Sequence, residues 1–442
     1  MAGPIFGAIA DDLTGGLELA GMLVGQGARV AFVTAPGEVA ALAAEADALD
    51  AVVVALKIRV VPAERAIADA VTAAGALMAL GCRQLFYKYC ATFDSTDRGN
   101  IGPVADRLAE MTGAEAVYFV PSFPEVGRTV YLNHLFVGAQ LLSESPKRYD
   151  PLTPMTDPDI ARVLARQSAR PVGAVHYLAV RQGADAIRSA TARAVAEGAR
   201  HLVVDAILPE DLAVIAEAAA DMPFLTGNSS VAEYLPAAWR RRGWLAEGAA
   251  GDALPAIDGP GVVLAGSCAE RTIEQLAAFE AAGHPVLRLA LSPADDADTV
   301  AERAARWVLA QPVPSAVATS AGPDEVARLQ SALGREGASQ LAETILSGIA
   351  RRVAAGGVRR ILVAGGESSG VVVETLGLKR LAVGAFTVPG MGRAVSTEPA
   401  LSLVLKSGKL GDVGMFVEAL DAMGGDGTAT SGTTREALTD AH

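Results

Sequence analysis

The sequence predicts an α/β protein of two domains, each a mostly parallel sheet covered by helices. Three observations carry this expectation. Short, nearly continuous apolar runs recur with amphipathic stretches between them, the pattern of strands buried on both faces. The length of 442 residues exceeds what one hydrophobic core organises. Finally, Glu247 to Gly261, rich in Gly, Ala, Pro and Asp, interrupts the pattern and reads as a linker.

The strands expected before that linker are Ile5–Ala10, Arg29–Thr34, Ala51–Leu56, Gln84–Tyr89, Ala116–Pro121, Val175–Ala179, Leu202–Ala206 and Met222–Thr226. After the first strand, Leu17, Ala20, Leu23 and Val24 share one helical face, and Gly27 closes that helix as its C′ residue. Strand signals resume at Val262–Ala265, Val286–Leu289, Ala316–Thr319 and Ile361–Ala364. The expected domains are residues 1–250 and 258–422, with a Gly/Thr/Ser-rich, disordered tail over 423–442.

Composition narrows the function. A hydrophobic fraction of 51% with 20% charged residues is that of a globular chain. No apolar run approaches the ~20 residues that span a bilayer. Met1 to Asp12 lacks the basic segment and cleavage site of an export signal, so a cytoplasmic protein is expected. Cys82, Cys90 and Cys268 are far apart and without metal-ligand spacing, as reduced thiols would be. A net charge of −13 disfavours nucleic acid as a partner but leaves room for an anionic small molecule held by a local cationic cluster.

Several polar constellations stand at strand ends. Asp11 and Asp12 close the first strand, where ligands of open α/β sheets bind. They suit proton acceptance or metal binding, and equally an N-cap by Asp12 or Thr14. They do not form the Asp-x-Asp-x-Thr motif of a phosphatase. Lys57 and Arg59 follow the third strand and suit a carboxylate or phosphate, although alone they read as surface charge. The run Lys88 to Asn100, which includes Asp94, is dense enough in donors and acceptors to grip a polyhydroxy acid. Pro121 and Pro124 stiffen a loop that presents Arg128, and His134 is balanced between structure and chemistry.

Beyond the linker, Gly266-Ser267-Cys268 and Gly365-Gly366-Glu367-Ser368-Ser369-Gly370 are strand-to-glycine turns that enter helices. Such turns admit a nucleotide phosphate, or else serve tight packing. Lys406-Ser407-Gly408-Lys409 adds cations that could neutralise phosphates. Neither a Walker A ending nor a dinucleotide fingerprint is present, which disfavours a dehydrogenase.

In this order, the Ala-Asp-Asp-Leu-Thr-Gly opening, the Gly-Ser-Cys turn, the Gly-Gly-Glu-x-Ser-Gly turn and the Lys-Ser-Gly segment resemble the four-carbon acid sugar kinase family, to about Leu420. Tyr87-Lys88-Tyr89-Cys90, Thr92-Phe93-Asp94-Ser95-Thr96, Gly99 to Val104, Leu141 to Ser145 and Pro151 to Asp157 resemble its 3-oxo-tetronate kinase branch. The resemblance implies an N-terminal acid-sugar domain, a C-terminal ATP domain, and transfer of the γ-phosphoryl group to a C4 hydroxyl with Mg²⁺. It implies Asp12 as base with Asp11 as its metal or orientation partner. Lys57, Arg59, Lys88, Asp94 and Arg128 would surround the acid sugar, and Ser267, Gly365, Gly366, Glu367, Ser368 and Gly408 would contact ATP. The expected partners are the acid sugar and ATP, with no nucleic acid and no membrane; a homo-oligomer is allowed.

The chain also departs from the family pattern. Ile58 and Val60 replace a Ser and a Thr in Lys-Ser-Arg-Thr, a loss of two hydroxyls expected beside the substrate. Ala91 replaces Ser, and Val126 a polar or small residue. Thr226-Gly227-Asn228-Ser229-Ser230 replaces Thr-Gly-Gly-Ser-Gly, and Met391-Gly392-Arg393 replaces Val-Pro-Trp after Pro389-Gly390. Alternatives are therefore a kinase of threonate or erythronate, or a drifted sugar-acid binding protein without catalysis.

Overall fold

A computed structural model describes residues 3–150, 152–247, 254–319, 323–385 and 391–424. The first half contributes strands β1 (Phe6–Ala10), β2 (Val30–Val33), β3 (Ala51–Ala55), β4 (Gln84–Lys88), β5 (Val117–Val120), β6 (Arg128–Tyr131), β7 (His134–Val137), β8 (Gln140–Leu141), β9 (Val172–Val175), β10 (His201–Val204) and β11 (Phe224–Gly227). The second half contributes β12 (Gly261–Ala265), β13 (Val286–Arg288), β14 (Ser315–Ala318), β15 (Arg360–Ala364), β16 (Arg380–Val383), β17 (Met391–Thr397) and β18 (Ala400–Lys406).

Two mostly parallel sheets are present, as the apolar runs require, and they meet edge to edge. The strand order is β13-β14-β12-β15-β18-β17-β16-β2-β3-β1-β4-β11-β5-β10-β9. Pairing is parallel except at β18–β17, β17–β16 and the β16–β2 joint, where Arg380 faces Val33 and Leu381 faces Phe32. The joint is reinforced beside the strands: Thr34 N–H donates to Lys379 O at 3.0 Å, and Arg380 forks onto Glu45. Strands β6, β7 and β8 form a separate antiparallel sheet.

The central strands are buried on both faces, so their side chains alternate between two cores. Phe6 and Ala8 of β1 point into a cluster that continues through both halves to Val262, Leu264, Ile361 and Val363. Ile9 points into a cluster confined to the first half, matched in the second by one around Val263, Leu362 and Phe416. The helix Leu13–Gly25 lies on the shared face, so close to β17 that a Cβ on Gly392 would stand 2.8 Å from Leu17 Cβ. This helix begins with Asp12 as N-cap, its carboxylate accepting from Gly15 N–H, and ends at Gly27 in the left-handed region with φ 79°.

Predicted strand ends shift by a residue or two, and one segment differs outright. The run Val175–Ala179 is strand only at Val175; Tyr177–Arg181 is helical. The buried Asp205 carboxylate accepts the Tyr177 N–H at 2.9 Å and so satisfies the first turn of that helix. The sequence reading also passed over β16, β17 and β18. Of the expected linker, residues 248–253 lie outside the described residues, as do Pro389, Gly390 and residues 425–442 of the expected tail. No described helix is long and apolar enough to cross a membrane.

Candidate active site

The C-terminal ends of β1, β3 and β4 are neighbours, and each carries charge to the same point. Asp11, 2% exposed, receives Arg59 in a bidentate pair, Nε to Oδ2 and Nη2 to Oδ1, both at 2.8 Å. The same Arg59 Nη2 donates to Asp12 Oδ1 at 2.6 Å, and Lys88 Nζ reaches that oxygen at 3.2 Å. Lys88 has space only because residue 15 is glycine: a Cβ there would stand 1.6 Å from Nζ. Two carboxylates and two cations thus cancel in a site where an unpaired charge would be costly. Burial pushes the Asp11 carboxyl up against the pull of Arg59 and Lys88. At Asp12 burial also acts upward, but Arg59 and Lys88 outweigh it and hold the carboxyl below the usual range. With Gly15 N–H also on Oδ1, Asp12 Oδ2 has no protein partner among the described residues.

The polar run after β4 divides into two kinds of residue. Lys88, Cys90, Ala91 and Thr92 face a cavity. Asp94 stands behind them, accepting from Thr92 Oγ1 at 2.6 Å and from Lys147 Nζ at 2.8 Å. Asn100 is a strut, its amide donating to Ile58 O at 2.6 Å and Val61 O at 3.1 Å. Asp94 therefore acts on the wall through Thr92 and Lys147, contrary to the expected direct contact with an acid sugar. Lys57 also differs from expectation: its side chain is 60% exposed, lies 3.8 Å from Glu374 of the second half, and is absent from the cavity wall. Arg128, at the start of β6, does line the cavity. His134 does not; its Nδ1 lies 2.7 Å from Leu132 O in the β6–β7 turn.

In the second half the ends of β12, β15 and β18 lie side by side. Gly266 and Ser267 N–H both donate to Ala364 O, and Gly365 N–H donates to Lys406 O at 2.9 Å. There is no room for side chains between the turns. A Cβ on Gly266 would stand 2.0 Å from Ser368 Oγ, and one on Gly408 2.0 Å from Ser267 Oγ. Gly365 has φ 136°, open in practice to glycine alone. It begins the helix Gly366–Thr375 without a side-chain cap, so the first amides of that helix are free to meet an anion. Lys406 departs from the expected phosphate contact: it is buried, its Nζ lies 3.2 Å from Gly408 O and 3.3 Å from Thr272 Oγ1, and burial lowers it to about 8. Lys409 is the cation of that segment on the cavity wall.

Both sets of strand ends open onto one cavity of about 770 Å³. Asp12, Arg59, Lys88 and Arg128 line one side; Ser267, Gly365, Gly366, Glu367, Ser368 and Gly408 line the other. Asp11 sits directly behind, holding Arg59. Residues the sequence reading did not single out complete the wall: Lys147, Thr319, Leu329, Gln330 and Glu343. Leu329, Gln330 and Glu343 belong to the helical stretch Pro323–Ala355, which carries no motif and so gave no signal. Glu367 is pushed up by burial and then by neighbouring Glu343. Among the described residues no group of three or more His, Cys, Asp or Glu is placed to hold a metal.

The family model described as "Sugar-binding N-terminal domain" matches residues 6–235, and "Nucleotide-binding C-terminal domain" matches 262–416. A Burkholderia multivorans 3-oxo-tetronate kinase is 45% identical over 96% of this chain and 98% of its own. The chain belongs to the four-carbon acid sugar kinase family. A Cupriavidus necator 3-oxo-tetronate kinase is 43% identical over the same shares, 96% and 98%. A crystal structure of a Salmonella typhimurium LT2 protein, 36% identical, superposes with a TM-score of 0.81 over 94% of this chain and 98% of that one. The departures from the four-carbon acid sugar kinase pattern can now be placed. Ile58 is 1% exposed in the core and Val60 54% exposed on the surface, and neither reaches the cavity. The expectation that two lost hydroxyls lie beside the substrate is therefore corrected: those positions do not face the cavity. Ala91, Val126 and Asn228 do line the cavity.

Proposed function

We propose that this chain is an ATP-dependent kinase acting on the C4 hydroxyl of a four-carbon acid sugar, with 3-oxo-tetronate preferred over threonate and erythronate. The observation that carries this reading is a single cavity with charged side chains on one wall and crowded glycine turns on the other. Family membership and the 3-oxo-tetronate kinase relatives support the chemistry. In this reading residues 1–250 bind the acid sugar and residues 258–422 the nucleotide.

ATP supplies the phosphoryl group when bound, and Mg²⁺ neutralises its phosphate charge. The turns at Gly266–Ser267, Gly365–Ser368 and Gly408 form the cradle, their backbone able to approach phosphate where a Cβ would not fit. Glu367 and Glu343, neighbouring carboxylates on that wall, would hold such a metal. Opposite, Asp12 uses Oδ2 to orient the hydroxyl and take its proton, while Arg59 and Lys88 offset the charge that gathers there. Arg128 faces the substrate carboxylate. Asp11, behind the wall, positions Arg59.

The substitution at Asn228 and the loss of a hydroxyl at Ala91 favour keeping threonate and erythronate in view. The non-catalytic reading loses its support, because Ile58 and Val60 lie away from the cavity. The test is ADP release with Mg²⁺ across 3-oxo-tetronate, threonate and erythronate isomers, with the product mass confirmed. Turnover on 3-oxo-tetronate above the others is expected. ATP binding without turnover on any acid of the panel would overturn the proposal.

A further inference from the structure

Asn228 stands where β11 ends beside β4, next to the charged wall. Gly227 fixes the backbone here: a Cβ would stand 2.7 Å from Val120 O, and Asn228 N–H donates to that same oxygen at 2.9 Å. The Asn228 side chain is 3% exposed, and the residue lines the cavity together with Glu18, Gly15 and Lys88. Its orientation is not ambiguous. Ser230 N–H, which can only donate, points at the side-chain oxygen from 3.1 Å, and the Ser229 hydroxyl lies 3.2 Å from the same oxygen. The amide nitrogen is therefore turned away from the helix it caps, and among the described residues it has no protein partner. The residue lines the cavity, so a ligand oxygen there can take the place of water as that donor's acceptor.

We propose that Asn228 is a specificity-determining residue for the acid sugar, its amide donating to an oxyanion or carbonyl oxygen of the substrate. This rests on the kinase reading above. The position is a glycine in the family pattern, so this chain adds both a donor and a side-chain volume to the wall. It selects a sugar acid that presents an acceptor oxygen there and disfavours one that presents only a hydrogen.

The variants Asn228→Asp and Asn228→Ser both retain an oxygen for the Ser230 amide, so the cap survives, while each removes the amide donor. The readouts are the KM for 3-oxo-tetronate, threonate and erythronate, the KM for ATP, and the Tm. The expected result is a rise of about 10- to 100-fold in acid-sugar KM for both variants, with ATP KM unchanged and, for the uncharged Asn228→Ser, Tm unchanged as well. An acid-sugar KM within twofold of the parent in both variants would overturn the proposal while leaving the kinase reading intact. Parallel shifts in ATP KM and Tm in Asn228→Ser would also overturn it, marking Asn228 as a cap alone. A parent protein that turns over none of the three acids would overturn the kinase reading itself and this proposal with it.

Discussion

The two walls of the cavity are built by opposite means. The first-half wall uses side chains: Arg59 and Lys88 hold Asp11 and Asp12, and Arg128 and Asn228 add donors. The second-half wall uses backbone, with Gly266 and Gly408 packed where no Cβ fits and Gly365 held at φ 136°. Side chains can be exchanged one at a time, so the first wall is where substrate choice can drift. Closely packed turns depend on the approach of whole backbone segments, so the second wall tolerates little change.

The largest effect should come from breaking the charge balance of the first wall. Arg59→Met leaves the buried Asp11 with only Lys88, whose Nζ is 3.8 Å away. Removing one partner of a buried pair costs about 3–5 kcal/mol, so urea unfolding should show that loss together with loss of turnover. Stability within about 1 kcal/mol of the parent would mean that the cluster is less interdependent than its geometry.

Gly408→Ala attacks the other wall. Its Cβ would meet Ser267 Oγ at 2.0 Å and Ser267 Cβ at 2.8 Å, displacing one turn from the next. A misplacement on the order of 1 Å costs about 100-fold in rate, so kcat/KM for ATP should fall by that order. Calorimetric affinity for the acid sugar should be unmoved; if both ligands weaken together, the walls are not separable.

Asp12→Asn sharpens the comparison within the first wall. It keeps shape but removes the proton acceptor, and kcat should fall about 10²–10⁴-fold with a smaller change in acid-sugar KM. Because Arg59 and Lys88 outweigh burial and hold the carboxyl low, the parent should show no acid limb from Asp12 at and above its ordinary titration range near ~4. A limb that appears in the parent and vanishes in the variant would contradict that charge state.

The smallest effect concerns Lys406, a side chain within the backbone wall. Burial lowers its pKa to about 8 from 10.5, so between those values the unfolded chain binds more protons than the folded one. Stability should therefore rise with pH across that window and fall as pH drops through about 8. Lys406→Met should flatten this slope in a series of Tm measurements, with no loss of stability at neutral pH.

Much of this was legible in the sequence because strands buried on both faces write themselves as apolar runs, and strand ends write themselves as Asp11-Asp12, Lys57-Ile58-Arg59 or Gly365-Gly366. Direction was not legible. Arg59 turns inward to Asp11 while Lys57, two residues earlier, points to the second half. Ile58 between them goes into the core, which is why its substitution leaves the cavity untouched. Asp94 and Lys147, 53 positions apart, form their pair through tertiary folding alone. β16 alternates exposed and buried residues as a strand does, but over four residues only, too short to stand out without β2 and β17 on either side of it.

The β2–β16 joint has a consequence for dissecting the protein. Produced as separate polypeptides, the halves would each carry a bare strand edge with unsatisfied amides and carbonyls. Each edge is the other's natural complement, so mixing the fragments should favour reassembly, whereas either one alone would seek its own kind. A chain cut into independent reagents at this boundary thus becomes a pair of mutually seeking parts.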